Sequence, residues 1–157
     1  MAALTAPKRT QELAGGPKRF QHPVKAGVAI HAGALLILAS GWLRPAREGQ
    51  GGDNAAKAAD AATYRCIGIA EQSVVGGNVD GEVVADTRSG CFLMKSGAAG
   101  DLLAKDDVGF TCYVIDDQTV GKTNPNNTRC VAGVVADVTG EGVWIEVGPV
   151  ISAALTA

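Results

Sequence analysis

Four cysteines are the residues of this 157-residue chain whose chemistry is most versatile: Cys66, Cys91, Cys112 and Cys130. Cysteine thiolates bind zinc and form disulfides, but zinc sites need closely spaced pairs of cysteine or histidine. No C-x-x-C pair occurs, and both histidines lie far upstream of the cysteines. We therefore expect no metal site. Two states stay open, buried free thiols and stabilising disulfides whose pairing the sequence does not fix.

Two acidic pairs, Asp106-Asp107 and Asp116-Asp117, are the next candidates for chemistry. Neighbouring carboxylates can act as general acid and base or as calcium ligands. Neither pair fits the D-x-[DN]-x-[DN]-G spacing of a calcium loop, and both stand where turns are expected. The sequence also has no G-x-S-x-G nucleophile motif and no phosphate-binding loop. It predicts a protein that is not an enzyme and that needs no cofactor.

The elements that position these residues are best defined in the C-terminal half. Residues 111–115, 130–138 and 143–147 are rich in β-branched residues, which favours strands. The tetrapeptide at 139–142 (TGEG) supplies the flexible residues of a tight hairpin, and Asn-Pro-Asn-Asn at 124–127 is a second turn signal. This half of the chain therefore predicts a series of antiparallel strands.

The last of these strands alternates between two faces. Val143, Ile145 and Val147 share one face, while Trp144 and Glu146 share the other, a period typical of a half-buried strand. We expect Trp144 to point out of the domain and to serve as a binding residue, because Trp is enriched where interfaces concentrate their binding energy. Two alternatives are that the C-terminal tail covers it within one subunit, or that a twisted strand in a closed barrel turns it inward.

Further short strands are predicted upstream, at residues 28–30, 35–39, 65–70, 81–86 and 91–95. Asp53 is a good N-cap for a short Ala-rich helix within the segment 45–63. Short strands at such intervals favour a small barrel or sandwich. The predicted fold is mainly β, a small antiparallel β-barrel or sandwich with an extended N-terminal arm and at most one short helix. The arm covers residues 1–25, the β-rich domain 26–148 and a C-terminal tail 149–157.

The apolar stretch at residues 28–43 (VAIHAGALLILASGWL) follows basic residues and so resembles a signal anchor. Its apolar run of about 16 residues is shorter than the roughly 20 that a spanning helix needs. His31, Gly33, Ser40 and Gly41 also interrupt it. We therefore favour strands. The alternative is an exported or membrane-anchored cell-envelope protein with a β-domain outside.

Charge divides the chain into a basic arm and an acidic body. Residues 1–50 hold seven Lys and Arg against two acidic residues, a balance of +5, whereas residues 51–157 have a balance of −7. This asymmetry suggests an arm that is ordered only in an assembly and lies over another acidic surface, or binds nucleic acid. The alternative is a solvated terminus. The candidate binding residues of the arm are Lys8, Arg9, Lys18, Arg19 and Lys25.

Several turn and strand motifs resemble the small decoration, or cement, proteins of tailed-phage and prophage heads. The likeness covers roughly residues 24–147 and is weaker before residue 91. The four cysteines and the basic arm depart from the family pattern. The motifs that carry the resemblance are Asp107-Val108-Gly109, the strand end at 113–117 (YVIDD), Thr119-Val120, 132–135 (AGVV), Asp137-Val138 and 142–145 (GVWI).

The resemblance implies a structural virion protein with a compact β-domain, commonly a trimer, that stabilises the capsid by bridging neighbouring capsid subunits on its outer surface. The implied partners are the major capsid protein and further copies of the chain, with neither nucleic acid nor a membrane as partner. The implied location is the capsid exterior, after assembly in the host cytoplasm.

Overall fold

The computed structural model describes residues 3–156, with the side chains of all but residues 12–17 and 156. The described chain forms eleven strands and two helices, so the mainly β fold is confirmed. In chain order the elements are β1 Glu12–Pro23, β2 Ala29–Ile30, β3 Leu35–Ala39, β4 Trp42–Pro45, α1 Asn54–Ala61, β5 Tyr64–Ala70, β6 Val74–Val75, β7 Val84–Ser96, β8 Thr111–Val114, β9 Thr119–Gly121, β10 Val131–Thr139, β11 Gly142–Val147 and α2 Pro149–Thr156.

Five strands close into a barrel in the order β7-β9-β8-β10-β11, and β11 returns to pair with β7. The barrel is antiparallel except for the short parallel pairing of β7 with β9. Val143, Ile145 and Val147 are buried in it, and Phe92 and Met94 of β7 pack in the same core. The alternation predicted for β11 is thereby confirmed.

The strands β5, β3 and β4 extend the sheet from β7 beyond the barrel. Leu35 and Ile37 pack into the barrel core, whereas Leu36 and Leu43 belong to a second core that includes Ile67. Successive residues of a strand point to opposite faces. Burial of both faces of β3 therefore accounts for the apolar run that resembles an anchor. Among the described residues, no helix is long and apolar enough to cross a membrane.

Two α-helices flank the sheet, one more than the single short helix expected from the sequence. Asp53 caps α1 as predicted, with its Oδ1 accepting from the N–H of Ala56 at 2.8 Å. The unexpected helix α2 spans nearly all of the predicted tail and packs against β5 and β10. It begins at Pro149, whose fixed φ suits the first helical position. With eight residues it is too short to be stable by itself and depends on this packing.

The N-terminal segment forms a strand of the same sheet. Residues 18–23 of β1 pair with residues 84–89 of β7, and the register shifts between Leu13 and Lys18. The shift falls on Ala-Gly-Gly-Pro at 14–17, where proline lacks the N–H that a ladder requires. The sequence predicts an arm that is ordered only in an assembly. The structure instead pairs residues 18–23 of this arm with β7 of the same chain.

Candidate functional site

The strand β7 is the base of the candidate site. It runs without interruption through residues 84–96, where the sequence predicts two separate strands, because β1 and β5 pair with its polar middle. Gly68 of β5 permits this approach, since a Cβ there would lie 2.2 Å from the carbonyl oxygen of Arg88. The result is that the Arg88 side chain stands where β1, β5 and β7 meet.

Phe92 and Glu71 are among the neighbours that hold Arg88 in place. Its guanidinium lies over the Phe92 ring, 5.7 Å from the centroid, and its Nη1 is 3.7 Å from Oε1 of Glu71. The same Glu71 oxygen lies 3.0 Å from Nε of Arg19, so one carboxylate is shared by two arginines. The Arg88 side chain is 22 % exposed. The Arg88 guanidinium is therefore partly buried and held by its neighbours.

A surface pocket of about 590 Å³ brings Arg88 together with the other end of the chain. Its lining comprises Arg9, Thr10 and Gln11 of the N-terminal segment, Arg88 of β7 and Trp144 of β11. Thr10 anchors the segment through a short hydrogen bond from its hydroxyl to the Gly33 carbonyl. The Gln11 carbonyl accepts from the N–H of Leu93 at 3.0 Å. These bonds hold the segment that carries the exposed Arg9 at the pocket.

Two of the six predicted binding residues, Arg9 and Trp144, therefore line one pocket. Trp144 is half-buried on the outward face of β11, as its alternation with Val143 and Ile145 predicts. The N-terminal segment, not the C-terminal tail, shares the pocket with it. Sequence reasoning missed Arg88, because a single arginine between two predicted strands carries no signal of a site.

Lys18 lies elsewhere, in an apolar groove between β1 and the start of α2. The groove has a volume of about 330 Å³, and Phe20, Glu146 and Val150 also line it. Phe20 is 51 % exposed and Val150 is 76 % exposed. Large exposed apolar side chains that share a surface mark interaction sites more often than isolated ones do. No sequence motif predicts this groove, because the groove depends on where α2 packs.

The remaining predicted residues of the arm make contacts within the chain. Nζ of Lys25 lies 2.6 Å from Oδ2 of Asp80, whose other oxygen accepts from the N–H of Ala26. Lys8 is partly buried, and its pKa is lowered by burial and by the nearby Lys95, against the attraction of the carboxylates at 116 and 117. Lys25 therefore closes a loop, while Lys8 lies near the buried acidic turn.

The acidic turn at Asp116-Asp117 does more than reverse the direction of the chain. Asp117 is buried, and its Oδ1 accepts from the N–H of Leu4 at 2.8 Å, while its carbonyl accepts from Leu35. Burial raises the pKa of Asp117, and the neighbouring carboxylate of Asp116 raises it further. The turn role predicted for Asp116 is confirmed by its hydrogen bond from the N–H of Gln118. The buried carboxylate of Asp117 holds the N-terminal segment to the barrel.

All four cysteines are free thiols and buried. Cys66, Cys112 and Cys130 lie in the barrel core. Burial raises the pKa of Cys112 and of Cys130 to about 12. Burial and the proximity of the other two thiols raise the pKa of Cys66 well above its ordinary value. Of the two states left open by the sequence, the structure contains free thiols, in a protonated form that is a poor nucleophile.

Within the described residues, no group of three or more His, Cys, Asp or Glu side chains is placed to hold a metal ion. In comparisons with protein-family models, curated proteins and solved structures, no significant match to the chain is found. The chain's own residues, above all the pocket of Arg9, Arg88 and Trp144, are therefore the basis for a functional proposal.

Proposed function

We propose that this chain is a structural protein of a tailed-phage head, which binds the outer surface of the capsid and bridges neighbouring capsid subunits. The proposal joins the resemblance of residues 24–147 to the pocket of Arg9, Arg88 and Trp144. Trp and Arg are the residue types in which interfaces concentrate binding energy. The single observation that carries the proposal is that these three residues, distant in sequence, line one surface pocket.

The mechanism requires no chemical step. A bridging protein adds interface area between capsid subunits, and this area opposes the outward pressure of packaged DNA. Rigidity matters for such a task because ordering a binding surface during association costs free energy. The closed barrel supplies β11 as a strand paired on both sides, by β10 and β7, so Trp144 projects from a fixed base. The major capsid protein is the proposed main partner.

A second proposed partner is another copy of the chain, at the groove of Lys18, Phe20, Glu146 and Val150. Apolar side chains line it, and so do one exposed cation, Lys18, and one exposed anion, Glu146. A homotrimer, as the resemblance implies, is closed by heterologous contacts, so the groove of one copy would meet a different surface of the next copy. Lys18 and Glu146 would take part in that contact.

The test is co-sedimentation of the purified chain with phage heads that lack it. We expect saturable binding, with Trp144→Ala reducing affinity at least about tenfold, as is typical of a buried interface Trp. The variant should keep the circular dichroism of the parent. Phe110→Ala is the matched control, because Phe110 is an aromatic that is 66 % exposed and lines a different pocket.

Recovery of the chain with membranes instead of heads would contradict the proposal and favour the cell-envelope alternative. Equal loss of head binding in the Trp144 and Phe110 variants would show that the pocket has no special role. Unfolding of Trp144→Ala without a separate binding defect would assign Trp144 to stability alone.

A further inference from the structure

We propose that two copies of this chain pair through the outer edge of β1, in an antiparallel ladder whose two-fold axis lies at Phe20. One edge of β1 pairs with β7, and no other strand of the described residues pairs with the opposite edge. An unpaired strand edge is a template for a further strand. This isologous contact is separate from the heterologous contact proposed for the groove, and it requires no phage protein.

The backbone of β1 turns alternate residues toward β7. The N–H of Val24 donates to the Val83 carbonyl at 2.8 Å. The register is unbroken through residues 18–23, so every second residue before Val24 also directs its backbone groups to β7. The residues between them have the opposite direction. The N–H and C=O groups of Arg19 and Gln21 therefore point away from β7, to the outer edge.

The side chains of Arg19 and Gln21 leave this outer edge uncovered. Nε of Arg19 lies 3.0 Å from Oε1 of Glu71, and Nε2 of Gln21 donates to Oδ1 of Asp86 at 3.0 Å. Asp86 belongs to β7, and its carbonyl accepts from the N–H of Glu71, so both acceptors lie on the β7 side of β1. Residues 18–21 are exposed. Their outward backbone groups are open to a second strand.

Prolines limit the length of the ladder that this edge can form. Pro17 and Pro23 stand three residues before and three residues after Phe20, and neither has an N–H to donate. In a ladder centred on Phe20, Arg19 of one copy faces Gln21 of the other, and each such pair exchanges both of its backbone hydrogen bonds. The edge therefore suits a short strand with the same limits, which a second copy supplies.

The side chains that meet in this ladder are compatible. Phe20, which is 51 % exposed, faces Phe20 of the second copy in the closer, non-hydrogen-bonded type of pair, and aromatic pairs across strands are stabilising. Arg19 faces the uncharged Gln21. Lys18 faces His22, and because burial lowers the pKa of His22, its imidazole is uncharged at neutral pH. No two like charges face each other directly.

A contact this short is weak by itself. A stable interface involves roughly 20 residues or more on each side, far more than this ladder brings together. We therefore expect the ladder at millimolar concentration, or between copies that the groove already holds together. In dilute solution the ladder alone does not keep two copies associated.

Cross-linking of single added cysteines tests the register of the ladder, because the four native thiols are buried. Phe20→Cys places two thiols opposite each other, whereas Lys18→Cys places them out of register and too far apart for a disulfide. Diamide is the oxidant and takes up the two hydrogen atoms that the thiols release. At about 1 mM chain, we expect at least about tenfold more cross-linked dimer with Phe20→Cys than with Lys18→Cys.

A mixture of Lys18→Cys and His22→Cys chains, which retains Phe20, should also cross-link, and only in mixed pairs. Gln21→Pro in both chains removes an outward N–H and no backbone bond to β7, so it should lower this cross-linking at least about tenfold. Gln21→Ala is the matched control, because it removes the same side-chain bond to Asp86 and keeps the N–H. Both variants should retain the circular dichroism of the parent.

Three outcomes would overturn the inference. They are cross-linking of Phe20→Cys no greater than that of Lys18→Cys or of the parent, equal cross-linking in the Gln21→Pro and Gln21→Ala mixtures, and links from Phe20→Cys to another protein only. If Gln21→Pro unfolds the chain, the comparison of Phe20→Cys with Lys18→Cys decides. Copies that bind heads but do not cross-link would overturn only this inference. Copies that cross-link but do not bind heads would overturn only the proposed function.

Discussion

At the scale of single residues, the fold buries one carboxylate, that of Asp117, although an ionised carboxylate is ordinarily more stable in water. Asp117 is 2 % exposed and adjoins Asp116, so its ionised form is destabilised by both burial and like charge. Lys8 lies close enough to oppose this in part, and His31 also favours the ionised form. The hydrogen bond from Leu4 gives the carboxylate a structural role in spite of this cost.

Asp117→Asn should make the chain more stable at neutral pH. The amide oxygen can still accept from Leu4, and the buried charge is removed. Because the pKa of Asp117 is raised in the folded state above its ordinary 3.8, protonation favours folding. The stabilisation by protonation is fully present below the pKa that Asp117 has in the unfolded chain. It is lost as pH rises through the pKa that Asp117 has in the folded chain.

The difference in unfolding free energy between Asp117→Asn and the parent should therefore be largest at neutral pH and shrink on acidification. Denaturant unfolding across this range of pH measures it. Asp86→Asn is a control, since Asp86 is a carboxylate on β7 that bonds an exposed Gln21 amide. A variant less stable than the parent at neutral pH would refute the prediction.

At the scale of elements, Arg129 ties three loops together at the end of the barrel. Its Nε lies 2.7 Å from Glu48, which precedes α1, and its Nη1 lies 2.8 Å from Asp101. Asp101 also accepts from the Thr123 hydroxyl at 2.6 Å. The Arg129 side chain is only 10 % exposed. Removing it would leave two carboxylates facing each other with their partner lost.

Arg129→Met should lower the unfolding free energy by about 2–3 kcal/mol, somewhat less than the loss of one partner of a fully buried pair. Lys105→Met is the control, because its ion pair with Asp137 is exposed and solvent-screened and should contribute little to stability. Urea unfolding measures both. Equal small effects would show that Arg129 acts as an ordinary surface residue.

Ionisation of Asp101, a partner of Arg129, stabilises the fold, whereas ionisation of Asp117 destabilises it. Burial alone would raise the pKa of Asp101, but hydrogen bonds from Thr123 and Arg129 outweigh it and lower the pKa. Such a carboxylate stabilises the fold above its unfolded pKa, near 3.8, and the contribution is lost as pH falls through the folded pKa. The cost of Arg129→Met should therefore diminish in strong acid.

At the scale of the whole molecule, the two termini create surfaces that neither half of the chain has alone. The N-terminal segment meets Trp144 at one pocket, and β1 meets α2 at the apolar groove. Both surfaces include side chains from β1 or the segment before it, from β7 and from the end of the β-rich domain. Two separate surfaces would allow the proposed contacts with a capsid and with a neighbouring subunit to form at the same time.

Val150→Lys should separate copies of the chain without unfolding them. The parent is expected to be an oligomer by light scattering at micromolar concentration, and a charge introduced into the lining of the apolar groove should make it a monomer. Val79→Lys is the matched control, because Val79 is 67 % exposed and lies outside the groove. A parent that is monomeric at every concentration, or dissociation by both variants, would contradict the assignment of this groove.

Local sequence signals were sufficient for much of the sheet. The alternation of Val143, Trp144 and Ile145 predicted which face of β11 is buried, and the hairpin between β10 and β11 lies where TGEG predicted it. Asp53 capped α1, and the Asn pair at 126 and 127 adopts positive φ in its turn. These features depend on residues within a few positions of one another, so the sequence alone determined them.

Only the tertiary structure decided the features that depend on distant pairing. The strand β1 carries no apolar period and forms because β7 offers an unpaired edge, and α2 is stable only where it packs on β5 and β10. Arg88 became part of a site because Gly68 lets β5 approach β7 and because Thr10 anchors the N-terminal segment. Such contacts join residues far apart in the chain, and no local propensity or spacing encodes them.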